Sequence, residues 1–203
     1  KTILRLKKFI DQGLKIVVCE PSCASALNDD LPDLLENKVL SDQVKEHVLM
    51  IDVFLAQEIK AGKLNISLES LAGDLLLHGH CHQKALYGTE ASKTLFGKTD
   101  HLIAEIPSGC CGMAGSFGYE KEHYELSEKI GESILFPAVR AKKDNVTLVA
   151  NGFSCRHQIH DGTGEMTEAE KVQARYSLLM KQTSKTQGDF ANTSDQLANR
   201  QRI

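Results

Sequence analysis

The chain of 203 residues has no tryptophan and only four prolines, and aromatic residues make up 5% of it. The patterns it lacks exclude more than the residues do. No apolar run approaches the roughly 20 residues of a membrane-spanning helix, so no membrane span is expected. Charge of one sign does not accumulate: 24 Lys and Arg stand against 27 Asp and Glu, and a net charge of −3 gives no basis for binding nucleic acid. The opening Lys1-Thr2-Ile3-Leu4-Arg5 is charged and amphipathic rather than a secretory signal, and its first residue is not Met, as expected of a piece of a longer protein. The glycines at 109, 112, 115 and 118 match neither G-x-G-x-x-G nor the Walker lysine motif, so a nucleotide loop is not indicated. Six cysteines are too sparse for a secreted disulfide scaffold of this length, and no C-x-x-C occurs to mark a zinc knuckle.

What is present is a buried-core composition, 41% hydrophobic, and a conspicuous placement of those six thiols. Cys110 and Cys111 are adjacent, with Gly112 following. Their Cα atoms are about 3.8 Å apart across a trans peptide, shorter than an ordinary disulfide prefers. Such a pair is better suited to presenting two thiolates to one metal centre than to bonding to itself. The composition reads as cytosolic, where reduced cysteine clusters usually mean metal or catalysis.

Apolar strands alternate with helical periodicity through most of the chain. Strands are expected at 15–18, 74–78, 101–106 and 145–150. One amphipathic helix is expected over Ser41 to Lys60, with Val44, Val48, Ile51, Leu55 and Ile59 on one face. Others follow Pro21, run over 83–92, start near Tyr119 with a break at Pro137, and run from Thr167 through Met180. The alternation predicts an α/β fold: a parallel sheet in Rossmann-like layers with helices on both faces. One domain is expected over 1–181, with pseudo-duplicated halves at 1–70 and 71–181, and a disordered tail over 182–203. Each strand delivers cysteine just past its C-terminal end: Cys19 and Cys23, then Cys81, then Cys110 and Cys111, then Cys155. In parallel sheets that edge is where ligands bind, so thiols from separate loops can converge there.

Three chemistries suit such a constellation. Four thiolates from Cys81, Cys110, Cys111 and Cys155 match the usual ligand number of a [4Fe-4S] cluster, and Gly112 permits close backbone approach. Cys23 and then Cys19 are further candidates. Zinc is the competing metal, because His78, His80 and His82 flank Cys81 and His157 follows Cys155 by two. His80 and His82 suit orienting Cys81 better than ligating directly, and His47, His101 and His123 read as ordinary. Cys23 and Cys155 each precede an expected helix, where the dipole lowers a thiol pKa, which leaves a metal-free thiol-disulfide site open.

The stretches Glu20-Pro21-Ser22-Cys23, Leu77 to His82, Pro107 to Gly115 and Asn151 to Cys155 together resemble the cysteine-rich CCG domain family. That family includes the cysteine-rich subunit of heterodisulfide reductase and the iron-sulfur subunits of glycolate oxidase and anaerobic glycerol-3-phosphate dehydrogenase. The likeness spans about residues 15 to 160 and is greatest to the C-terminal part of FAD-linked 2-hydroxyacid oxidases and dehydrogenases. It implies an iron-sulfur electron-transfer domain, not catalytic by itself, that works beside flavin-binding and ferredoxin-like domains of its parent protein. FAD would sit on that other domain, and the hydroxyacid would be of the glycolate, D-lactate or 2-hydroxyglutarate type. A cytoplasmic place is implied, peripheral to the inner membrane through the electron acceptor. The alternative role is a zinc-stabilised domain that docks the flavin module. Two departures stand out. The family's closing C-x-x-C has Gly152 at its first position, leaving only Cys155, and the first half has no vicinal pair.

Overall fold

A computed structural model describes residues 2–64, 73–96 and 102–167. The expected helix from Thr167 through Met180, His101 and the tail over 182–203 lie outside or at the edge of the described residues.

The architecture is mixed α/β, with parallel strands in two small sheets. Helix α1 (Thr2–Ile10) leads into β1 (Ile16–Val18), and Pro21 opens α2 (Pro21–Ser25), a position that needs no backbone donor. A π-helical turn over Ala26–Asp30 and the short α3 (Leu31–Asp33) follow. Asn37 caps α4 (Lys38–His47), its side chain accepting from the Leu40 amide at 3.0 Å. Strand β2 (Val48–Met50) then pairs parallel to β1 and passes directly into α5 (Ile51–Lys60). The single helix expected over Ser41 to Lys60 is therefore two helices joined by a strand. Val48 and Met50 are buried on one side of β2, and pairing with β1 overrides a helical apolar spacing that three residues cannot contradict locally.

The second sheet has the order β4-β3-β5, built from β3 (Leu75–His78), β4 (Ile103–Glu105) and β5 (Thr147–Ala150). Both neighbours run parallel to β3, with Leu76 opposite Ala104 on one side and Leu148 on the other. Between β3 and β4 lie α6 (Cys81–Leu86) and α7 (Glu90–Phe96), separated at Gly88. Between β4 and β5 lie α8 (Tyr124–Ser133) and α9 (Leu135–Arg140), broken at Ile134 three residues before Pro137. Helix α10 (Phe153–Thr163) follows β5.

Each sheet has its own apolar cluster. Ile3, Ile10, Val44 and Val48 pack beneath β1 and β2. Ile106, Leu135, Phe136, Val139, Leu148 and Ile159 pack beneath the other sheet, and Cys111 and Cys155 belong to this cluster. Because the chain goes from β3 to β4 on one side and returns across β3 to β5, connections leave β3 in opposite directions. That reversal opens a crevice at the strands' C-terminal ends. Cys81, Cys110, Cys111 and Cys155 all follow those ends.

Candidate functional site

The crevice is a cleft of about 280 Å³ lined by Ser22, His80, Cys81, His82, Cys110 and Cys111, with Ala114, Gly115 and Ser154 completing it. Four thiols gather beneath it and act on one another's ionisation in sequence: Cys81 with Cys110, Cys110 with Cys111, and Cys111 with Cys155. Three loops, one from each strand of the second sheet, contribute to this series. All six cysteines are free thiols.

The loop after β4 is shaped to hold the vicinal pair. Gly112 has φ +101, and a Cβ there would run into the Ser127 carbonyl oxygen. Its amide donates to the Cys110 sulfur at 3.3 Å. Ala114 also takes a left-handed φ of +42, so this short loop stores backbone strain beside the thiols. The Lys84 ammonium donates to the Ser108 carbonyl and fastens the loop to α6.

Electrostatics divide the four thiols into two kinds. The Cys110 thiol is drawn well below its ordinary range by hydrogen bonds from Cys111 and Cys81, helped by the Gly112 amide. Cys155 is lowered to about 5 by the Cys111 contact and by His78 beside it, against the opposing effect of burial. Cys81 and Cys111 go the other way, because each donates its proton to a neighbouring sulfur and is itself desolvated. Lowered and raised thiols thus alternate along the series.

The histidines around Cys81 have separate duties. His78 is fully buried; its Nδ1 lies 2.9 Å from the Ser108 hydroxyl, and its Nε2 has no hydrogen-bond partner among the described residues. His80 caps α6, its Nδ1 accepting from the His82 amide at 3.2 Å and standing 3.9 Å from the Cys81 sulfur. Burial holds its imidazole below the usual pKa and therefore neutral. His82 is exposed, with its ring edge-on to His80. His157 faces away, with Nδ1 at 3.1 Å from the Tyr119 hydroxyl and its ring against Phe153. At Gly152, a Cβ would overlap the His80 ring and lie 3.1 Å from the Cys155 sulfur. The imidazole thus fills the space where the resemblance leads one to expect another cysteine.

Of the residues singled out in the sequence, Cys81, Cys110, Cys111, Cys155, Gly112 and His80 come together. Cys23 and Cys19 do not join the thiol series. Both are exposed, and Ser22 lines the cleft in place of Cys23. Cys23 and Cys155 also lie within the first turns of α2 and α10, not ahead of them. Among the described residues, no group of three or more His, Cys, Asp or Glu side chains is arranged around a single ion position.

Several supporting residues were not legible. Glu20 joins the two parts of the chain, accepting from the Ser22 hydroxyl and from the Phe153 amide at the start of α10, both at 2.9 Å. Buried Asp52 accepts from Gln83 at 2.8 Å and Ser92 at 2.5 Å, and Gln83 accepts from Asn151 at 2.5 Å. Glu20 belongs to a stretch that carries the family resemblance, whereas Asp52, Gln83 and Asn151 share no motif.

The fold and site define a parallel α/β domain with a four-thiol cleft at its sheet's switch point. Comparison with known proteins gives that class its relatives. The chain is 28% identical to one of the subunits of the anaerobic glycerol-3-phosphate dehydrogenase of Escherichia coli K12 over 155 residues, 75% of this chain and 37% of that protein. It is 28% identical to D-2-hydroxyglutarate dehydrogenase of the same organism over 169 residues, 81% of this chain and 16% of that protein. With the Haemophilus influenzae D-2-hydroxyglutarate dehydrogenase the identity is 25% over 161 residues, 76% and 15%. The chain therefore spans well under half the length of these relatives. No family model matches it, and no solved structure matches it significantly.

Proposed function

We propose that this domain carries an iron-sulfur cluster, of the [4Fe-4S] kind, in the electron-transfer path of a flavin-dependent 2-hydroxyacid oxidoreductase. The observation that carries the reading is the meeting of four thiols from three strand-end loops at one cleft. The residues present fit such a group. The donor set is all sulfur, Cys110 and Cys155 are both shifted toward easier deprotonation, and a backbone amide points at Cys110. Cys81, Cys110, Cys111 and Cys155 would hold it, with Cys23 as a reserve ligand from the other sheet. When bound, the group supplies reversible one-electron transfer.

The chain's own residues do the rest. To hold such a group, Cys81 and Cys111, the two thiols shifted toward the protonated form, would have to give up their protons. The Gly112 amide continues to donate to Cys110 and holds charge on that sulfur. Ser108 can donate its hydroxyl proton to His78 Nδ1, which leaves the proton on Nε2 in an imidazole whose presence favours the Cys155 thiolate. His80 stays neutral and keeps the N-terminus of α6, and hence Cys81, in place.

The CCG-family resemblance and the similarity to two kinds of dehydrogenase support the parent context. FAD and the hydroxyacid belong to other domains of that parent, with ferredoxin-like and flavin-binding modules as partners, and glycolate, D-lactate or 2-hydroxyglutarate as substrate class. No described helix is long and apolar enough to cross a membrane. A cytoplasmic place, peripheral to the inner membrane through the acceptor, agrees with that context.

Anaerobic reconstitution with ferrous iron and sulfide tests the proposal. Broad visible absorbance that Cys110→Ser abolishes is the expected result. Stoichiometric zinc uptake with no iron under the same conditions would replace it with the zinc-stabilised docking domain. A second reading is favoured by the Cys111–Cys155 contact and the lowered Cys155 thiol: a metal-free thiol-disulfide site. It predicts a disulfide that forms and reduces reversibly without any iron uptake.

A further inference from the structure

Helix α10 begins without a cap of its own. Its N-cap position is Gly152, extended at φ −79 and ψ 132, with no side chain to accept from the first-turn amides. The glycine is imposed from outside, because a Cβ at 152 would enter the His80 ring. Serine, threonine, aspartate and asparagine, the usual capping residues, therefore cannot stand there. The start of this helix nevertheless has to be held, since Cys155 is its third residue and is only 2% exposed.

Glu20 supplies the missing acceptor from 133 residues away. It precedes Pro21, which disfavours helical backbone before it, and it stands extended at the N-cap of α2 with φ −103 and ψ 122. Its carboxylate makes no cap on α2 itself. Oε2 accepts from the Phe153 amide, the first of α10, at 2.9 Å, and Oε1 accepts from the Ser22 hydroxyl at 2.9 Å. Ser22 lines the thiol cleft, and so does Ser154, the residue after Phe153. The half-buried carboxylate thus ties the wall made by α2 to the wall made by α10, and its charge sits on a helix N-terminus at the rim. That charge is felt inside the cleft: burial lowers the His80 imidazole, and Glu20 is among the groups that work against it.

We infer that Glu20 is the positioning residue of Cys155: it caps α10 from across the cleft, keeps that thiol enclosed, and fixes one negative charge at the rim. The enclosure needs no metal. The effect of the charge on a midpoint potential rests on the cluster reading, and its direction follows from electrostatics. A fixed negative charge disfavours adding an electron nearby, so Glu20 lowers the potential of a group held in the cleft.

The test is iodoacetamide labelling of the metal-free full chain, with the rate at each cysteine read by peptide mass spectrometry. Glu20→Ala should accelerate labelling of Cys155 about fivefold, the factor to which the loss of one helix cap corresponds. Cys155 should gain more than Cys111, whereas a globally loosened chain would expose both alike. Glu20→Gln keeps an acceptor of the same shape without the charge. It should leave Cys155 near its wild-type rate and, after anaerobic reconstitution, raise the midpoint potential. Should Glu20→Ala fail to fold, Ser22→Ala frees one carboxylate oxygen and is read in the same way, with a smaller gain at Cys155. An unchanged rate at Cys155, an equal gain at Cys111, or an unmoved potential in Glu20→Gln would each overturn the inference. A wild-type chain that takes up no iron would refute the cluster instead, and the labelling rates would still decide the role of Glu20.

Discussion

The two sheets of this domain handle cysteine differently. In the first, β1 delivers Cys19 and Cys23 past its end, yet both thiols stay exposed and apart. In the second, three strands deliver four thiols that act on one another's ionisation in sequence. The local chemistry is similar in both places, a strand followed by cysteine near a helix start. Topology separates them. A two-stranded sheet whose connection runs one way has no switch point, whereas the order β4-β3-β5 reverses direction at β3 and has one. Convergence of ligands is thus a property of strand order, and cysteine spacing alone does not provide it.

The largest effect expected on stability lies in the core beneath the four-thiol site. Phe136 is fully buried there, so Phe136→Ala should cost about 3–5 kcal/mol by urea denaturation. Ile10→Ala, in the cluster beneath β1 and β2, should cost about 2–5 kcal/mol. If Phe136→Ala proved the milder of the two, the site would not owe its rigidity to its own core. Gly131→Ala comes next. Its Cβ would enter the Phe136 ring, and about 1–3 kcal/mol should be lost to overpacking. Phe136→Leu in the same chain should return part of that loss; a strictly additive double variant would contradict the contact.

A smaller effect is expected with pH. His80 is held below its ordinary value of 6.5 by burial, so the folded state takes up its proton less readily than the unfolded chain. The stability it contributes is complete above pH 6.5 and declines as pH falls below it. Denaturation midpoints at about pH 7.5 and about pH 5.5, on either side of that value, should therefore differ less in His80→Gln than in the wild type. An unchanged difference would show that His80 is not the group responsible. Ser108→Ala should have the least effect on folding, and it should shift the midpoint potential of the reconstituted cluster through His78. An unmoved potential would remove His78 from the account of Cys155.

Much of this was readable in the residues. Of the five described strands, four followed from apolar runs and their breakers, and so did the delivery of cysteine at their ends. The missed strand, Val48–Met50, carries Val48 at a spacing that also suits a helix, and only its pairing with Ile16 to Val18 decides the matter. The exposure of Cys23 could not be read, because it depends on how the two sheets are arranged. Nor could the Asp52–Gln83–Asn151 network, whose members are 31 and 68 residues apart and carry no shared motif. His80 at the place left by Gly152 is of the same kind: a ring from one strand end fills space beside another.

The most direct test of the difference between the sheets is iron and sulfide content after anaerobic reconstitution of two double variants. Cys19→Ser with Cys23→Ser should retain the wild-type content, and Cys81→Ser with Cys155→Ser should lose it. Loss of iron in the first pair, with retention in the second, would contradict the four-thiol site.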